Sequence, residues 1–135
     1  MQDCIFCKIV EGSIPSNKVY EDDQVLAFLD IRPVSKGHTL VIPKKHSQDL
    51  LDTDDETLQH LLLAAKKVSR AVVKATGAQG FNLGVNNGKD SGQEVMHLHF
   101  HIIPRYVNDG LSPWPHRESD PTALSELAKN IKQAF

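Results

Sequence analysis

The chain has 135 residues, near the usual size of one domain and long enough to bury a core without disulfide staples. Its formal charge of −2 argues against the broad basic surface that a phosphate backbone would need, so nucleic acid is not an expected partner. No apolar run approaches the roughly 20 residues that span a bilayer, and the N-terminus lacks a basic region followed by an apolar stretch. The expectation is a single domain over residues 1–135, cytoplasmic, with no membrane partner.

The only two cysteines, Cys4 and Cys7, open the chain in one Cys-Ile-Phe-Cys unit. In a reducing compartment that spacing suggests metal binding or redox work more than a crosslink. A thioredoxin-like motif needs a preceding strand, and only three residues precede Cys4, so redox is the weaker option. Buried thiols packed beside Ile5 and Phe6 are the plain alternative.

From Val19 to Ile31 the apolar run Val25-Leu26-Ala27-Phe28-Leu29 predicts two short strands joined by a turn at Glu21-Asp22-Asp23. A third strand is expected from His38 to Pro43, punctuated by Gly37 and Pro43. Thr53 and Glu56 have capping-box spacing, and Leu58, Leu61, Leu62, Ala65, Val68 and Val72 recur at helical intervals up to Gly77. This is the one long helix. Phe81, Leu83 and Val85 alternate with Asn82, Gly84 and Asn86, as in a half-buried strand with a small polar face. A loop from Asn87 to Glu94 leads into a last strand, Val95 to Arg105, and Asp120-Pro121 starts a short amphipathic helix through Leu124, Leu127 and Ile131. The predicted fold class is α+β: an antiparallel five-stranded sheet with one long helix and a C-terminal helix.

The chemistry concentrates in that last strand. His97, His99 and His101 stand at i, i+2 and i+4, which in a strand places three imidazoles on one face, about 6.6 Å apart along the backbone, with Leu98, Phe100 and Ile102 on the other. Three of the chain's seven histidines at alternate positions are improbable as stray surface residues. A zinc held by all three would be one use of them.

A second use comes from resemblance. Gly92-Gln93-Glu94-Val95-Met96-His97-Leu98-His99-Phe100-His101 resembles the signature of the histidine-triad family of nucleotide hydrolases and transferases. The likeness extends through Cys4-Ile5-Phe6-Cys7-Lys8-Ile9, Phe28-Leu29-Asp30-Ile31, Gly37 to His46, and Asn86, covering roughly residues 4 to 105. It implies a homodimer in which two sheets join across a shared edge. It also implies cleavage at the α-phosphate of adenosine phosphoramidates or dinucleoside polyphosphates, with AMP released and no organic cofactor. Purine nucleotides, as AMP conjugates, are the expected partners.

By the same resemblance His99 is the nucleophile, forming a nucleotidyl-histidine intermediate that water resolves, and His101 contacts the phosphate and helps protonate the leaving group. A neutral imidazole suits that task, since it attacks phosphorus near pH 7 and its phosphoramidate is labile. Asp30 would accept the ribose hydroxyls, Asn86 would meet the sugar-phosphate region, and Gly92 and Gln93 would supply phosphate-side donors. Asp30 as a solvated strand end and Asn86 as an ordinary turn residue are the alternatives.

Glu94 stands where several members carry a serine or threonine; a carboxylate would repel phosphate, so its backbone is expected to face the ligand. Arg105 either extends toward a distal phosphate or is a surface cation. His60 and His116 are expected to face solvent or packing.

Cys4 and Cys7 cannot saturate a tetrahedral zinc, so two ligands must come from elsewhere. His46 and His97 are the best candidates, supported by the likeness to cysteine-containing members, and the zinc would then be structural. His97 would leave catalysis in that case, and His38 is the competing histidine. Two other functions stay open: a non-catalytic nucleotide-sensing module, and a metallohydrolase with zinc on the triad.

Overall fold

A computed structural model describes residues 3–135. Five strands form one antiparallel sheet in the order β1-β2-β3-β5-β4: β1 (Lys18–Glu21), β2 (Val25–Leu29), β3 (Thr39–Pro43), β4 (Gly80–Val85) and β5 (Phe100–Arg105). The helices are α1 (Ile5–Glu11), α2 (Asp55–Thr76) and α3 (Pro121–Gln133). The expected α+β fold is the observed one. Among the described residues no helix is long and apolar enough to cross a membrane.

The continuous apolar runs of β2 and β3 have a direct cause: the sheet is covered on both faces, so residues of either parity are buried. On one face Val25, Ala27, Val41, Phe100 and Ile102 pack under α2 through Leu61, Ala65, Val68 and Val72. On the other, Leu26, Phe28, Leu40 and Ile42 pack under Phe6 and Ile9 of α1. The sequence expectation lacked α1. Its signs were present in Ile5, Phe6, Ile9 and Val10, closed by Gly12 in the left-handed region at φ 88°.

Three local expectations are corrected. The last strand begins at Phe100, not Val95, although Leu98 N still reaches Ser47 O at 2.8 Å. The N-cap of α2 is Asp54, whose carboxylate accepts from Thr57 N, because the Thr53 hydroxyl instead donates to Asp49 O at 2.7 Å. Leu62 is half exposed, since it lies beside Phe81 and Leu83 at the free edge of β4 rather than over the sheet.

The turn between β1 and β2 is closed by Asp22. Its carboxylate accepts from Gln24 N and Val25 N at 2.8 Å, from the Tyr20 hydroxyl at 2.7 Å, and meets His60 Nε2 of α2 at 2.9 Å. Burial alone would raise its pKa, but these donors together hold it well below the usual carboxylate range. A folded-state pKa below the unfolded value stabilises at neutral pH, and that contribution is lost as pH falls below about 4. Asp22→Ala should therefore cost about 2 kcal/mol of stability at pH 7, and urea titrations should find the gap narrowing at pH 3.

Candidate active site

In β5 the pleat alternates strictly: Phe100, Ile102 and Pro104 are buried, and His101, Ile103 and Arg105 are less so. Phe100 and Ile102 belong to the core under α2, so His101 lies on the α1 face. His99 shares it, with its ring 4.9 Å from that of His101 and 5.1 Å from the edge-on ring of Phe6.

Hydrogen bonds fix the tautomer of each ring, because a carbonyl can only accept and a backbone amide can only donate. His99 Nδ1 lies 2.7 Å from His97 O and must donate to it, which leaves the lone pair on Nε2. Val34 N donates to His38 Nδ1 at 3.0 Å, so His38 carries its proton on Nε2 and donates to His101 Nδ1 at 2.9 Å. The His101 proton is then on Nε2, a buried atom with no partner among the described residues. Burial depresses all three pKa values, His101 to about 4 with help from the neighbouring His99 and His38, so the rings are neutral at pH 7. The result is one lone pair and one N–H, on adjacent rings, both held ready by neighbours.

Asp30 follows β2 directly. Its Oδ1 accepts from Arg32 N at 2.8 Å, and Oδ2 stands 3.7 Å from His38 Nε2, so the carboxylate neighbours the histidine row. Gly92 adopts φ 98°, which favours glycine, and a Cβ there would come within 3.5 Å of Asn86 Nδ2. The Gln93 side chain is buried and fully engaged: Oε1 accepts from Gly88 N, and Nε2 donates to Gln48 O and Val95 O. Its carboxamide thus shapes the loop, whose Gly92 and Gln93 amides also donate within it, to Lys89 O at 3.0 Å and Gly88 O at 3.3 Å.

The His97 ring departs from its row. Nε2 donates to Pro43 O at 2.8 Å, which turns the Nδ1 lone pair toward Cys4 Sγ at 3.3 Å, Cys7 Sγ at 3.6 Å and His46 Nδ1 at 3.2 Å. Cys7 Sγ and His46 Nδ1 are also 3.3 Å apart, and all four ligand atoms lie within 4.8 Å of one another. A tetrahedral zinc with N and S ligands has ligand-to-ligand edges of about 3.3 to 3.8 Å. The donor set and its spacing fit zinc. The same geometry disfavours zinc on the triad, since the His97 lone pair points into the cysteine cluster and only its carbonyl serves His99.

The HIT domain family model matches residues 11–108. The chain belongs to the HIT family. A crystal structure of a protein from Streptococcus mutans has 47% identity, covers 99% of this chain and 86% of its own, and superposes with a TM-score of 0.94. A zinc-bound histidine-triad protein of Mycobacterium smegmatis has 39% identity, covers 96% and 98%, and has a TM-score of 0.79. The Schizosaccharomyces pombe relative named adenosine 5′-monophosphoramidase is 44% identical over 130 residues, 95% of each chain.

Two charged residues whose roles the sequence left open, Glu94 and Arg105, are accounted for locally in this HIT protein. The Glu94 carboxylate is exposed and pairs with Arg32 Nη2 at 3.0 Å. Arg105 binds Asp109, Asn82 Oδ1 and Leu111 O, so its guanidinium is committed to the surface. His38, which the sequence left as a competitor for zinc, belongs instead to the histidine network. Phe6 gave no chemical signal in the sequence, and only the fold brings it beside His99.

Proposed function

We propose that this HIT protein is a nucleotide hydrolase or nucleotidyl transferase that cleaves at the α-phosphate of adenosine phosphoramidates or dinucleoside polyphosphates and releases AMP. The observation that carries it is the bond from His99 Nδ1 to His97 O, which leaves Nε2 with its lone pair. Nε2 attacks phosphorus, a phosphorus–nitrogen bond forms, and the leaving group departs with its electron pair. Positive charge then develops on the ring, and a charge-assisted hydrogen bond to the His97 carbonyl strengthens as it does. The partnerless His101 N–H is a donor for the phosphate or the departing atom, and His38 is the positioning residue that keeps it one. Water then displaces the imidazole and frees AMP.

Asp30 is assigned to the ribose, and Asn86, Gly92 and Gln93 to the sugar-phosphate side. Cys4, Cys7, His46 and His97 would hold zinc as a crosslink between α1 and the sheet, and no chemical step passes through it. The protein is assigned as one domain that pairs into a homodimer along β4, where the free strand edge and the exposed Phe81, Leu83 and Leu62 supply unpartnered surface. The relative named adenosine 5′-monophosphoramidase supports adenosine and an amine leaving group.

The deciding assay offers adenosine 5′-phosphoramidate and diadenosine tetraphosphate to the purified protein. AMP from either supports the hydrolase, and the ratio of kcat/KM names the subclass. AMP binding without turnover of either substrate would replace this function with a nucleotide-sensing one.

A further inference from the structure

Two braced segments border the histidine row, and each carries an exposed charge. The first is the turn between β2 and β3. Asp30 N donates to His38 O at 2.9 Å and closes it, while Arg32 N on Asp30 Oδ1 at 2.8 Å and Val34 N on His38 Nδ1 at 3.0 Å pin its interior. The second is the loop before β5, where the buried Gln93 carboxamide ties Gly88, Gln48 and Val95 together. Between these segments Arg32 Nη2 reaches Glu94 Oε2 at 3.0 Å. The guanidinium is thus carried from the ribose side, where Asp30 stands, to the phosphate side, one residue past Gln93.

This pair contributes little to the fold. Its side chains are 81% and 77% exposed, and hydration nearly balances the attraction of an ion pair in that much water. For the same reason it exchanges partners readily. A phosphate offers the guanidinium fork two oxygens at the right spacing and more charge than a carboxylate does. Other cations of the body are engaged: Arg105 is held by Asp109, Asn82 and Leu111, and Lys44 pairs with Glu21 at 2.8 Å.

The chemistry of departure selects which phosphate. When the leaving group is a polyphosphate, the bond from the α-phosphorus to oxygen breaks as the bond to His99 Nε2 forms, and the electron pair goes to the leaving oxygen. Negative charge then grows on the departing phosphate, and a guanidinium beside it lowers the cost of that charge. An amine leaving group needs a proton instead, which a guanidinium does not give up near pH 7.

We propose that Arg32 exchanges Glu94 for the leaving-group phosphate of a polyphosphate substrate, and that Glu94 holds the guanidinium at the phosphate side until that substrate arrives. This selectivity rests on the α-phosphate chemistry proposed above. The test compares kcat/KM for diadenosine tetraphosphate and for adenosine 5′-phosphoramidate, with thermal melting to verify each fold. Arg32→Ala should lower the ratio of the first to the second about tenfold or more, the size of one lost charge-assisted hydrogen bond. Glu94→Gln keeps an acceptor but removes the competing charge, and should raise the ratio. Higher salt should shrink the wild-type ratio more than that of Arg32→Ala. An unchanged ratio in Arg32→Ala overturns the exchange, whether both rates fall together, which would place Arg32 on the α-phosphate, or neither does. A loss in Lys89→Ala, a cation of the second loop, as large as that in Arg32→Ala also overturns it, in favour of a general field. If the wild type turns over neither substrate, the hydrolase reading fails by itself. Titration with ATP and AMP then decides the exchange, which stands only if Arg32→Ala weakens ATP relative to AMP by about tenfold or more.

Discussion

His99→Ala is expected to lower AMP release about 10⁴-fold or more, with AMP still bound and the fold intact. The size of the effect follows from what is removed. Water held near the same phosphorus would lack both the lone pair fixed on Nε2 and the carbonyl of His97 that receives the developing charge. Substrate labelled at its α-phosphate should leave acid-labile, base-stable label on the wild-type protein during turnover and none on the variant. His99 is buried, so the variant also opens a small cavity, and thermal melting must accompany the assay to separate chemistry from stability. Equal rates for the two proteins would refute a covalent route through this ring. A variant that hydrolyses slowly but never carries label would relocate the reaction to direct attack by water.

Much of this site could be read from residue order, and the limits are instructive. The alternation of His97, His99 and His101 with Leu98, Phe100 and Ile102 announces a strand with chemistry on one face, and His99, one residue before the ladder begins, keeps that phase with His101 whereas the His97 ring does not. Alternation cannot say which nitrogen carries a proton. That depends on Pro43 O, His97 O and Val34 N, backbone atoms brought into place by three separate segments. Likewise Gln93 reads as a phosphate donor by position, but its carboxamide is satisfied by Gly88, Gln48 and Val95, partners as many as 45 residues distant in sequence.

Helix ends show the same division between local pattern and tertiary choice. Thr53 has the right spacing for a cap, yet Asp54 takes that role because the Thr53 hydroxyl finds Asp49 O and Ser47 instead. The seven residues of α1 are too few to establish a period, and Cys4 and Cys7 draw attention to metal rather than to a helix turn. Cys4 does both: its sulfur accepts from Cys7 N at 3.4 Å as the N-cap, and it faces His97.

This double use makes zinc removal the second large effect. The purified protein is expected to carry one zinc per chain, and stripping it should lower Tm by about 10 °C. A ligand at a thousand times its Kd stabilises by about 4 kcal/mol, and a chain of this size shifts by roughly 3 °C per kcal/mol. The loss should concentrate on α1, whose Phe6 and Ile9 supply one wall of the second core cluster, whereas the core under α2 contains none of the four ligands. Hydrogen exchange should therefore speed up in α1 and β2 before α2. Cys7→Ser should reproduce the shift, because a hydroxyl is a poor substitute for a thiolate. Turnover at a temperature where the stripped chain is still folded should persist, since the His97 carbonyl rather than its zinc-directed ring serves His99. Loss of turnover without loss of fold would instead give the metal a part in the chemistry. An unchanged Tm in a metal-free protein would return Cys4 and Cys7 to the role of packed thiols.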